Sequence, residues 1–209
     1  MNRPAAYDLV CEFTQSEGLR RHMLAVEAAM RAYARKFGED EETWGIVGLL
    51  HDFDYERWPN PPDHPLQGAA ILAERGYPAD VIYAIKSHVD FTPSQNVDVT
   101  LCVTNPLAER EEYNCPRVSP LDKSLYACDE LAGFCTAVAK IRPEGIRGME
   151  AKSVRKKMKQ ASFAAAVSRD DIARGAADLG VDLDEHIQFV IDAMAEVADE
   201  LGLGARAAQ

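Results

Sequence analysis

Residues 19–38, LRRHMLAVEAAMRAYARKFG, decide the fold class. His22, Ala25, Val26, Ala29, Met30, Tyr33 and Phe37 recur at the three- and four-residue spacing that puts side chains on one stripe of an α-helix, and Gly38 supplies the left-handed stop. His22 sits within that stripe and therefore faces inward. Asp40 is placed to cap a second helix through TWGIVGLLHD, whose apolar face ends in the pair His51-Asp52. The following DYERWPNPPDHP carries too much proline to continue it. A third helix begins near His64-Pro65 and stops at Gly76; Pro78 then starts a fourth, ADVIYAIKSHV, with His88 near its end.

From Phe91 to Val118 the periodicity fails, with prolines at 93, 106 and 116, and only VTLCV could form a short strand. This stretch is expected to be an inserted loop. Ser119-Pro120 with Asp122 has the form of a capping box and opens a long helix, LDKSLYACDELAGFCTAVAKI, which places Asp129 on one face with Tyr126, Ala132 and Gly133. Beyond Arg142-Pro143 come the basic segment KSVRKKMKQ, a helix capped by Ser168 and a last helix capped by Asp184. Strand-type alternation is nearly absent, so the class is all-α. One helical domain is expected over residues 1–145, its core at about 19–138. A helical C-terminal extension, 146–209, packs on it.

The composition excludes some functions. In 209 residues, 34 acidic against 23 basic side chains give a formal net charge of -11, which disfavours long nucleic acids and anionic lipid. No apolar run approaches the roughly 18 residues of a membrane span, and MNRPAAYDLVCEF lacks the plan of a secretory signal, so a cytoplasmic location is expected. Cys11, Cys102, Cys115, Cys128 and Cys135 are odd in number and include no CxxC pair, which reads as reduced thiols.

The histidines carry the chemistry. A site for a divalent transition metal needs imidazoles and carboxylates converging from several rigid elements, because one helix can present only two or three ligands to a point. His22, His51-Asp52, His64, His88 and Asp129 fall one position or pair on each of five successive elements. Nitrogen and oxygen ligands without cysteine favour iron or manganese, with cobalt, nickel or zinc also admissible. His186 lies outside this ordered pattern and reads as a surface or packing residue.

These residues resemble the HD-domain superfamily of metal-dependent phosphohydrolases, whose pattern is H…HD…D with two further histidines in dinuclear members. The resemblance covers about Leu19 to Val138. His22 corresponds to the first histidine, His51 and Asp52 to the doublet, Asp129 to the distal aspartate, and His64 and His88 to the extra pair; HPLQGAAIL is similar to the His-x-x-x-Gly-Ala helix start of small bacterial members. Gly76-Tyr77-Pro78 is a helix stop followed by a start, since the segments that accompany this tripeptide in the cyclic-di-GMP-degrading branch are missing.

The resemblance implies an HD-domain helical bundle holding two divalent metal ions bridged by Asp52. It implies catalysis by His51, Asp52 and Asp129 on a small anionic, phosphorylated, nucleotide-like substrate, by metal-activated water. Two other readings stay open: a mixed-valent di-iron oxygenase of the same superfamily, and a signalling module that binds without turnover. Candidate substrate contacts are Tyr126, Arg142, Lys156 and Lys157, the lysines belonging to the densest positive patch of the chain, and Glu56 is a candidate support for the ligands. The oligomeric state is left open, a homodimer among the options.

Overall fold

The computed structural model describes residues 1–90 and 115–205. Among the described residues there are nine helices and no strand: α1 Arg3–Phe13, α2 Glu17–Phe37, α3 Glu41–Leu50, α4 Asp63–Glu74, α5 Ala79–Ser87, α6 Pro120–Lys140, α7 Ala151–Met158, α8 Arg169–Leu179 and α9 Leu183–Glu196. The all-α expectation holds. VTLCV and most of the expected insertion lie outside the described residues. No helix among the described residues is long and apolar enough to cross a membrane.

The helix starts follow local hydrogen-bond chemistry. Asp40 accepts from the Thr43 N–H at 2.7 Å, and Ser119 and Asp122 form the reciprocal capping box. Asp182, and not Asp184, caps α9: its carboxylate accepts from the N–H groups of Asp184 and Glu185, which leaves Asp184 inside the first turn. Sequence periodicity did not announce α1. Asn2 caps it and it buries Ala6, Leu9, Val10 and Phe13, while the Arg3 guanidinium reaches the buried carboxylate of Glu27 on α2 at 2.7 Å.

The core forms around α2, which lies against α3, α6 and α9. Gly48 permits the α2–α3 approach, because a Cβ there would meet the Val26 carbonyl oxygen at 2.9 Å and the Glu27 backbone at 3.0 Å. That closeness sets His51, three residues on, beside His22. Cys128 and Cys135 are buried within α6, and burial pushes both thiols up.

His186 ties α9 to this core as a buried packing residue. Its Nε2–H donates to the Ala127 carbonyl at 2.9 Å and its Nδ1 accepts from the Tyr33 hydroxyl at 2.6 Å. Burial holds this imidazole below its ordinary pKa, so the folded protein binds fewer protons here than the unfolded chain. The stability it contributes is therefore complete above the unfolded value of about 6.5 and is lost as pH falls from there through the lower folded value. His186→Ala is expected to cost about 3 kcal/mol at pH 7.5, from the orphaned Tyr33 hydroxyl and the cavity left behind. It should also flatten the acid side of the stability profile and leave metal content unchanged, as denaturant titrations at pH 7.5 and 5.5 with metal analysis would check.

Candidate metal centre

The six ligand candidates meet in one place. His22 comes from the first turns of α2, His51 and Asp52 from the end of α3, His64 from the start of α4, His88 from the end of α5 and Asp129 from the middle of α6. His64 has non-helical backbone angles, φ -84° and ψ 128°, so the chain turns there and delivers its ring before the helix proper begins.

Two groups result, one on each side of Asp52. His22 Nε2, His51 Nε2 and Asp129 Oδ1 form the first, with separations of 3.2 Å between the imidazole nitrogens and 2.9 and 3.3 Å from each to the carboxylate. His64 Nε2 and His88 Nε2 form the second, 3.3 Å apart. Asp52 turns Oδ2 to the first group, 3.5 Å from His51 and 3.8 Å from His22. It turns Oδ1 to the second, 3.2 Å from His64 and 3.5 Å from His88. Ligands about 2.1 Å from an ion stand roughly 3.0 to 3.4 Å apart at octahedral or tetrahedral angles; most of these separations are close to that size, while Asp52 Oδ2 stands farther from His22, at 3.8 Å.

The histidine tautomers point the same way. His51 Nδ1–H donates to the Gly48 carbonyl at 2.8 Å, His88 Nδ1–H to the Ile85 carbonyl, and His64 Nδ1–H to Asp54 Oδ1 at 2.8 Å. Those oxygens can only accept, so in the neutral ring each Nδ1 carries the proton and each Nε2 turns its lone pair into the centre. Outer hydrogen bonds fix metal-binding histidines in this manner.

Electrostatics agree with the geometry. Burial disfavours charge on His51, but the carboxylates of Asp52 and Asp129 outweigh it and hold its pKa well above the ordinary value. For His64 burial is likewise overcome, by Asp52 and Asp54, and its pKa rises to about 9. Asp52 and Asp129 are held well below the carboxylate range despite burial, chiefly by His51. Every shift has one sense: the centre stabilises positive charge, and its donor set suits a divalent cation.

Two residues that the sequence reading passed over support the site. Asp54 is fully buried; beyond His64 it accepts from the Gly68 N–H at 2.8 Å through Oδ2. Gly68 must lack a side chain, since a Cβ would lie 2.7 Å from the Asp54 carboxyl carbon. The signal was present as an aspartate two positions after the doublet and a glycine four after His64. Glu130 lines the cavity beside Asp129; burial and the Asp129 charge raise its pKa to about 7.

Glu56 stands elsewhere. Its carboxylate accepts from the N–H groups of Gln15 and Ser16, at 2.9 and 2.8 Å, and so closes the start of α2 without touching a ligand. The centre opens onto a cavity of about 570 Å³ that Tyr126 lines and Arg142, Lys156 and Lys157 do not. Arg142 donates to the carbonyls of Gly145 and Gly148, Lys156 is exposed, and Lys157 lies over the Phe163 ring. In α7 Val154 is buried and Ala151 and Met158 pack against the core half-buried, so these three apolar residues fix which side of the helix faces the protein.

A family model for the HD domain matches residues 19–133, more than half of the 209-residue chain. No curated protein and no solved structure gives a significant match. Since His22, His51, Asp52 and Asp129 all lie within that match and converge on one centre, the chain belongs to the HD domain family.

Proposed function

We propose that the protein is a metal-dependent phosphohydrolase that cleaves a small, nucleotide-like phosphoester with water at a centre of two divalent ions, iron or manganese before cobalt, nickel or zinc. The observation that carries this reading is Asp52, whose two oxygens face two different histidine groups, as a bridging carboxylate does. The ions would be held by His22, His51 and Asp129 on one side and by His64 and His88 on the other, and when bound they supply charge neutralisation for the phosphoryl group and acidify water.

The chain's own part is positioning. Three imidazoles are fixed in one tautomer, and Asp129, which lines the cavity, is placed to orient the attacking water. A bond forms between water oxygen and phosphorus, the ester P–O bond breaks, and the proton passes to the leaving alcohol oxygen. Alcohol and phosphate are the products.

A second reading is favoured by one observation: among the described residues no lysine or arginine lines the cavity, so only the ions would meet a phosphoryl group. An oxygenase acting on an uncharged substrate at a mixed-valent di-iron pair needs no such cation. Metal analysis of anaerobically purified protein, followed by phosphatase and phosphodiesterase assays with each metal, separates the two. Phosphate release without oxygen in the manganese form is expected. Turnover that requires oxygen, with an electron paramagnetic resonance signal from a mixed-valent pair, would overturn it.

A further inference from the structure

Besides the metal-ligand candidates, the cavity presents a wall of polar side chains together with the apolar Val89 and Val167. Tyr126, Asp90, Asp171 and Glu130 line it. The Tyr126 hydroxyl lies 3.2 Å from Asp90 Oδ2 and 3.0 Å from Asp171 Oδ1, yet it has one proton to give. Burial and both carboxylates push the phenol up, so it keeps that proton and gives it to only one of the two carboxylates at a time, while Arg174 reaches both.

Two arginines stand beside this wall, and neither lines the cavity. Arg117 donates to Asp90 Oδ1 at 2.8 Å and to the Ser87 carbonyl at 3.0 Å, and its guanidinium stacks over the Tyr126 ring at 3.6 Å. Arg174 donates to Asp90 Oδ2 at 2.7 Å and also contacts Asp171. Both cations are therefore engaged in holding the carboxylates in place. Tyr126 precedes Asp129 by three residues on α6, so wall and metal ligands share a helix face and fall within reach of one small molecule.

Among the described residues no cation lines the cavity here, so a second phosphate would meet carboxylates, and an apolar group would strip water from them without replacing its hydrogen bonds. Donor groups suffer neither cost. We propose that this wall receives the alcohol half of the substrate, so that the substrate is a phosphate monoester whose alcohol carries hydroxyls or an ammonium group, and not a polyphosphate. The proposal rests on the phosphohydrolase reading for the reacting end and on the wall alone for selectivity.

The test uses the full chain loaded with manganese and offered ethanolamine phosphate, glycerol phosphate, phenyl phosphate and ATP. Ethanolamine phosphate or glycerol phosphate is expected to exceed phenyl phosphate and ATP at least about tenfold in kcat/KM, the size of one well-made hydrogen bond to a charged group. Which of the two leads identifies the donor as ammonium or hydroxyl. Tyr126→Phe and Asp171→Asn should erode that preference about tenfold, mainly through KM. Tyr126→Phe, which keeps the ring under Arg117, serves if Asp171→Asn disturbs the start of α8.

Preference for phenyl phosphate or ATP, or variants that slow every substrate alike, would overturn the proposal. Calorimetric binding of ethanolamine phosphate and glycerol phosphate gives a readout independent of turnover. Binding that Tyr126→Phe weakens supports the wall even if no phosphoester is hydrolysed, an outcome that would remove only the hydrolase reading; equal binding by the variant and the parent removes the wall.

Discussion

Asp52→Ala is expected to strip metal from both histidine groups and to lower turnover by about three orders of magnitude or more, the loss that follows when several kcal/mol of charge neutralisation disappear. The reason is position. Asp52 alone of the six faces both groups, and its side chain is only 14% exposed, so no solvent anion replaces it easily. His51→Ala should likewise abolish turnover, with metal lost first from the group it shares with His22 and Asp129. Metal analysis beside activity measures both, and a full metal complement in Asp52→Ala would refute the bridging role.

Asp54→Ala should act on one group only. It removes the acceptor that fixes the His64 tautomer and takes from the buried Gly68 N–H its carboxylate partner, while the Asp54 carboxylate bonds to His64 and Gly68 and not to His22, His51 or Asp129. Loss of such an outer partner typically weakens metal affinity 10- to 100-fold. Titration with manganese should therefore show a weakened site beside a site of parental affinity. Gly68→Ala gives an independent check, because it keeps the carboxylate but drives a methyl group against it. Uniform weakening of all bound metal in both variants would mean that the six residues hold a single ion.

What was readable in the sequence depended on the range of the signal. The stripe containing His22, the doublet at the end of an apolar helix and the Ser119 capping box are local patterns, and each appears where periodicity and capping place it. Asp54 was not legible in that way, since its role arises only when α4 approaches closely enough for Gly68 to donate to it. Glu56 was assigned to the ligands on proximity in the chain, yet it points back across the loop to the start of α2. The lysines of α7 show the same limit: charge density is visible in a sequence, whereas the side of a helix that meets solvent is set by what its few apolar residues find to cover.

The six ligand candidates come from five stretches of chain, His22 and Asp129 being 107 positions apart, so ions held by them would act as cross-links over most of the family match. A ligand that binds only the folded form adds about 2.7 kcal/mol at a hundredfold excess over its dissociation constant. The population of intact protein, and its lifetime against proteolysis, should therefore track the supply of metal around it, and starvation for the ion would deplete the protein itself as well as its turnover.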